Sequence, residues 1–198
     1  RGQNQKSLSI FARSQYGYSS FEYPLFPNSE VSAYEAFVLR NSGNDWTSSM
    51  LRDGFITGLA DNTDIDHQLY RPAVIYLNGE YWGIQNIREK VNEHFLSSHH
   101  DIPSEHIDLL DIQGIYSENI VHGTNIDYLN LLDYLENNDI EDSSVQSEIE
   151  GWIDITSFMQ YQAFQIFIDN RDWPGNNIKF WRDHRTSGKW RWILYDTD

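Results

Sequence analysis

Leu8, Ile10 and Ala12 alternate with Ser7, Ser9, Phe11 and Arg13, a two-residue period that predicts a strand, and Tyr16-Gly17-Tyr18 breaks it. Residues 34–41, Tyr-Glu-Ala-Phe-Val-Leu-Arg-Asn, are aromatic and β-branched enough for a second strand, closed by Ser42-Gly43-Asn44-Asp45. The stretch 46–60 predicts a helix that Gly54 and Gly58 weaken. The clearest hairpin covers 72–89. There Ala73-Val74-Ile75-Tyr76-Leu77 meets Tyr81-Trp82-Gly83-Ile84-Gln85-Asn86-Ile87 across Asn78-Gly79-Glu80, because Asn and Gly both tolerate positive φ. Residues 90–97 turn helical, and 98–124, polar and carrying Gly114 and Gly123, reads as a connection between lobes.

From Asn125 the spacing of Tyr128, Leu131, Leu132 and Leu135 predicts a helix. A longer one begins near Ile155, with Phe158, Tyr161, Phe164, Gln165 and Ile168 on successive turns and Asp154 as its N-cap. A second hairpin runs from 178–182 through Thr186-Ser187-Gly188 to 189–195, where Trp190 and Trp192 share one strand face and read as core. If Asp183 faces Lys189, antiparallel register puts Asn177 opposite Tyr195 and beside Asp196. The fold class is α+β and two-lobed: a β-rich N-terminal lobe over 1–97 and a helical C-terminal lobe over 98–198 that carries this hairpin.

Composition narrows the partners. Thirty acidic against fourteen basic residues give a net charge of −16, a field that repels nucleic acid and anionic membranes. An anionic ligand such as a nucleotide then needs a local reversal of charge, which divalent metal on carboxylates supplies. The chain has no cysteine, which excludes disulfides, thiolate metal sites and a Cys nucleophile. No apolar run approaches the roughly 20 residues of a membrane span. The first residues run straight into a strand pattern and the last stop within a motif, so both ends are expected to continue in a longer protein, with the C-terminal lobe truncated.

The helix that ends near Asp169 delivers Asn170-Arg171-Asp172-Trp173-Pro174-Gly175-Asn176-Asn177. Asp172 and Asn177 have the spacing of a kinase catalytic loop, in which the Asp accepts the substrate hydroxyl's proton and the Asn coordinates a metal. The hairpin brings Asp196 to the same end, with no Phe-Gly after it, so the metal geometry of kinases is expected without their activation-loop switch. His99 and His100, adjacent in an extended stretch with no ligand-spaced partner, read as a solvated loop.

Residues 170–177, together with Gly-Lys-Trp-Arg-Trp-Ile-Leu-Tyr-Asp-Thr-Asp at 188–198, resemble the C-terminal signature of the CotH family of atypical, protein-kinase-like spore-coat proteins. The Asn-Gly hairpin at 76–90, the opening Lys6-Ser7-Leu8-Ser9-Ile10, Tyr23-Pro24-Leu25-Phe26-Pro27 and Leu39-Arg40-Asn41-Ser42-Gly43-Asn44-Asp45 are similar to other blocks of that family. The resemblance implies a kinase-like fold, ATP and Mg²⁺ or Mn²⁺ as cofactors, and phosphate transfer to Ser or Thr of an acceptor protein. It further implies a surface, secreted or spore-coat setting. By position it implies Asp172 as catalytic acid, Asn177 and Asp196 as metal ligands, Asp198 as a second one, and Glu89 as the partner of a phosphate-binding Lys, for which Lys6 fits best. Two rival functions remain in the sequence: a surface module that binds glycans or protein with a vestigial kinase site, and a metal-dependent hydrolase using the same carboxylates.

Overall fold

The computed structural model describes residues 4–112, 118–185 and 188–198. Its strands are β1 (Leu8–Phe11), β2 (Phe21–Glu22), β3 (Ala33–Tyr34), β4 (Ala36–Arg40), β5 (Asp66–His67), β6 (Tyr70–Leu77), β7 (Glu80–Glu89), β8 (Ile107–Ile112), β9 (Glu118–His122), β10 (Ile178–Asp183) and β11 (Arg191–Leu194). Its α-helices are α1 (Arg52–Gly58), α2 (Glu93–His100), α3 (Ile126–Asn137), α4 (Ser143–Trp152) and α5 (Ile155–Phe167). No helix among the described residues is long and apolar enough to cross a membrane.

The N-terminal sequence builds a four-stranded antiparallel sheet in the order β1-β4-β7-β6. Asn78 and Gly79 close its central hairpin at φ 52° and 84°, the two left-handed residues that a tight two-residue turn requires. α1 is shorter than the helix expected over 46–60, and the reason is local. Residues 43–45 form a 3₁₀ turn, Met50 sits at φ 59°, and the buried Asp45 carboxylate accepts the N–H groups of Leu51 (2.9 Å) and Arg52 (3.0 Å). The helix can start only where Asp45 caps it.

A five-stranded sheet, β5-β11-β10-β8-β9, uses residues beyond 97 together with β5, which runs parallel to β11. The β10–β11 register matches the hairpin reading: Lys179, Phe180 and Trp181 face Ile193, Trp192 and Arg191, which puts Asn177 opposite Tyr195. Thr186 and Ser187 of its expected loop, and Gly114 upstream, lie outside the described residues. At the corner, a Cβ on Gly188 would stand 1.6 Å from the Asp183 carbonyl oxygen, so no other residue fits there.

β8 and β9 correct the expectation of an irregular connection over 98–124. β8 reads Ile-Asp-Leu-Leu-Asp-Ile and is almost wholly buried, so it lacks the alternation of a half-exposed strand. Its two aspartates meet cations of β10, Asp108 as an ion pair with Arg182 (3.4 Å) and Asp111 with Lys179 (2.6 Å), and Asp108 Oδ1 accepts from Thr124 N at 2.8 Å. Trp181, Leu109, Ile107 and Ile193 pack against Phe95 and Leu96 of α2, whereas Phe180, Leu110 and Ile178 pack against Leu131 of α3. Neighbours in sequence thus point to opposite faces, and helices cover both. Trp190 is fully buried, as expected of core, while Trp192 is partly buried and stacks on Phe180.

Three of the helices, α2, α4 and α5, start on a side chain that accepts a backbone N–H, whereas Asn125 at the start of α3 makes no such cap. Asn92 accepts from Phe95 N, Asp142 from Ser144 N and Asp154 from Ser157 N, each cap contributing about 1 kcal/mol. Asp154 is the cap the sequence pointed to; α4, with its own cap at Asp142, is an element the apolar spacing did not reveal.

Candidate active site

α5 ends at Phe167, and Asp169 (φ 51°) turns the chain away from the helix axis. The following loop is tied back by Asn170, whose side chain donates to Gln165 Oε1 (2.8 Å) and whose Oδ1 accepts from Asp172 N (3.1 Å). This leaves the Asp172 side chain exposed at the mouth of the loop. Asn177 lies at φ 57° just before β10 and Asp196 at φ 51° just after β11, so two left-handed non-glycine residues frame the end of the hairpin. Such backbone conformations persist where surroundings enforce them and cluster at functional sites.

Here the enforcing contacts are visible. Asn177 Nδ2 donates to the Asp196 carbonyl at 3.2 Å and stands 3.5 Å from Asp172 Oδ2, the outer limit of a hydrogen bond. Asp172, Asn177 and Asp196, separated by up to 24 positions, therefore meet at one end of β10–β11. With its NH₂ group committed to these oxygens, Asn177 keeps its amide oxygen as an acceptor.

The N-terminal sheet closes the site from the other side. Arg40, the last residue of β4, donates through Nη2 to Asp196 Oδ1 (2.6 Å) and to Asp198 Oδ1. Burial works against its charge, but Asp53, Asp196 and Asp198 outweigh it and hold the guanidinium firmly protonated. Asp198 Oδ2 accepts the N–H groups of Asn44 (2.8 Å) and Asp45 (3.4 Å). Between the two aspartates, Thr197 donates its N–H (2.9 Å) and hydroxyl (3.1 Å) to Asp53 Oδ1, while Arg88 Nη1 reaches Asp53 Oδ2 at 3.1 Å. Sequence reasoning missed the roles of Arg40 and Asp53, whose partners lie about 150 positions later, and of Arg88, which joins the site only through Asp53.

Lys179 is a further omission. Its ammonium meets Asp111 Oδ2 at 2.6 Å and lies 5.1 Å from the centre of the Tyr195 ring. The Tyr195 hydroxyl donates to Asp111 Oδ1 at 3.2 Å, and burial together with the Asp111 charge pushes its ionisation up.

The structure does not bring the other expected pair together. Lys6 is exposed, and its carbonyl accepts from Gln85 Nε2 (2.7 Å) near the start of the four-stranded sheet. Glu89 is buried at the end of β7, aligned with Phe37 and through it with Ile10, four residues further along. Its carboxylate instead accepts from Leu69 N (3.0 Å) and pairs with His99 Nε2 (2.7 Å). This corrects the solvated-loop reading of the two histidines, which lie on α2. His100 Nε2 reaches Asp66 Oδ1 at 2.7 Å, and Asp66 also accepts from Trp181 Nε1. Burial alone would lower the His99 pKa, but the hydrogen bond and charge of Glu89, aided by Asp66, raise it.

Among the described residues, no three His, Asp or Glu side chains are grouped as a ready-made metal site. Asn177 meets Asp196 through the Asp196 main-chain carbonyl, and the residues that could hold an ion here, Asn177 through its amide oxygen and Asp196 through its carboxylate, offer hard oxygen ligands. Such a set suits a divalent ion that completes its shell with phosphate and water, as Mg²⁺ does. No match was found among curated proteins. A family model described as CotH kinase protein matches residues 1–198, the full length of this sequence, and with a mixed α+β fold carrying Asp172, Asn177 and Asp196 at one hairpin end, the chain belongs to the CotH kinase family.

Proposed function

We propose that this chain transfers the terminal phosphoryl group of ATP to a Ser or Thr hydroxyl of an acceptor protein of the cell-surface or spore-coat type. The observation that carries the reading is the convergence on Asn177, whose amide bonds the Asp196 carbonyl and reaches the Asp172 carboxylate. Asp172, exposed and next to Asn177, takes the hydroxyl proton as the new oxygen–phosphorus bond forms and ADP leaves. Asn177 and Asp196 would hold Mg²⁺ or Mn²⁺, which supplies charge neutralisation for the phosphates in a chain of net charge −16.

Labelled ATP and a mixture of candidate surface proteins test this. Asp172→Asn keeps shape and removes the base, so transfer falls by about 10²–10⁴ while nucleotide binding survives. Asp196→Asn loses binding and transfer together. Unaltered transfer in Asp172→Asn overturns the assignment. A second reading, a surface binding module, draws on the outer face of β6–β7, where Val74, Tyr76, Tyr81 and Ile84 are exposed. Thermal stabilisation separates the two: nucleotide at a hundredfold its Kd adds about 2.7 kcal/mol, whereas a response to sugars alone favours the binding module.

A further inference from the structure

Asp196 and Asp198 are one residue apart in sequence and in opposite environments. The Asp196 side chain is 34% exposed and meets Arg40 through Oδ1. The Asp198 side chain is 1% exposed, with Oδ1 on Arg40 and Oδ2 on the backbone N–H groups of Asn44 and Asp45. Both Asp198 oxygens are thus already engaged, by a guanidinium and two amides. An ion would have to displace charge-assisted hydrogen bonds to reach either.

Behind Arg40 lies a looser contact, an ion pair without a hydrogen bond. Arg40 Nε lies 3.6 Å from Asp53 Oδ2, and Asp53 is held by Arg88 and by the N–H and hydroxyl of Thr197. Gly43 has no Cβ to interfere; one would stand 2.6 Å from Asp198 Oδ2 and 2.9 Å from Arg40 Nη2. By charge alone, a guanidinium 2.6 Å from Asp196 is a poor neighbour for a cation ligand, since it repels the ion it would help to bind. Its presence makes sense as geometry: one guanidinium nitrogen, Nη2, donates to both carboxylates and so fixes Asp196 against Asp198.

We propose that Arg40 is the positioning residue of the candidate metal centre, orienting Asp196 through one oxygen, with Asp198 as its anchor and not an ion ligand. The proposal rests on the reading of Asn177 and Asp196 as ligands. It reassigns Asp198 from ligand to brace and gives Arg40 a role that acts through Asp196.

The test is Mn²⁺ alone, without nucleotide, titrated into this chain and followed by the paramagnetic resonance of free Mn²⁺, with melting curves for every variant. Asp196→Asn is expected to abolish binding. If it binds as the unchanged chain does, or if the unchanged chain binds no Mn²⁺, the ligand reading falls and the proposal with it. Given that loss, Arg40→Gln and the charge-conserving Arg40→Lys should each weaken Mn²⁺ binding about tenfold, the usual effect of losing a ligand's hydrogen-bond partner. Removing a repelling cation would by Coulomb's law do the reverse in Arg40→Gln. Equal or tighter binding in folded Arg40 variants therefore overturns the positioning role while leaving the ligands standing. Should Arg40→Gln not fold, Arg40→Lys decides. For Asp198→Asn, a role through Arg40 predicts that the double variant with Arg40→Gln binds within about threefold of Arg40→Gln alone. A loss as complete as that of Asp196→Asn, or full additivity in the double variant, makes Asp198 a ligand and overturns its assignment as anchor.

Discussion

Gly43→Ala is the smallest change that strikes the brace between Arg40 and Asp198, and its size can be worked from the structure. Gly43 lies at φ 51°, where a Cβ costs about 1 kcal/mol. The new methyl would stand 2.6 Å from Asp198 Oδ2, an atom pinned by Asn44 N at 2.8 Å on a side chain that is almost fully buried. The carboxylate must shift by the better part of an ångström, and a hydrogen bond to a charged group, worth about 1.5–3 kcal/mol, is lost. The sum is about 3 kcal/mol, a large fraction of the roughly 5–15 kcal/mol that holds a domain folded. Gly58→Ala is the control: it ends α1, is exposed, and a Cβ there meets nothing within 4 Å. There the added methyl should stabilise by a few tenths to about 1 kcal/mol through helix propensity. Urea unfolding of both variants, with m-values compared to exclude a change in the unfolded state, reads the difference. A loss below about 1 kcal/mol in Gly43→Ala would show that Asp198 yields easily, and the rigidity assigned to the brace would be wrong.

Two further outcomes follow from other parts of the molecule. Because the folded-state pKa of His99 is raised, the stability it contributes through Glu89 is full below its unfolded value of about 6.5 and is lost as pH rises through the folded one. The advantage of the unchanged chain over His99→Gln in denaturant should therefore shrink as pH rises above about 6.5, and growth there refutes the pairing. Leu110→Ala, in a fully buried position facing Phe180 and packed with Leu131, should cost about 2–5 kcal/mol, and a loss under 1 kcal/mol would place β8 outside the core.

What the sequence revealed and concealed follows from how far apart the interacting residues lie. The Asn78-Gly79 turn was legible because a tight turn fixes register from its own ends, and the β10–β11 register because facing Asp183 with Lys189 brings Asn177 to Asp196. β8 was not legible: buried on both faces, it shows no alternation, and Asp108 and Asp111 look like loop residues until Arg182 and Lys179 are seen opposite them. The histidines of α2 were misread because their partners, Glu89 and Asp66, come from strands of different sheets. Arg40 stands in a block similar to one of the family's, but its role carried no signal, since it exists only where β4 meets the end of β11.

That meeting has a kinetic side. The contacts that assemble the site span 144 residues from Asp53 to Thr197 and 156 from Arg40 to Asp196. On the ribosome, the four-stranded sheet can pair its strands long before Asp196 is made, whereas Arg40 waits for a carboxylate supplied by almost the last residues of this sequence. Closing so long a loop gives up chain entropy before any contact compensates, so it comes late and slowly. Until then Arg40 and Arg88 have Asp53 and Glu89 as their acidic neighbours, and the arrival of Asp196 and Asp198 adds two negative charges to that group. Competence to bind a cation would thus appear together with the final long-range closure, and an incompletely folded chain would lack it.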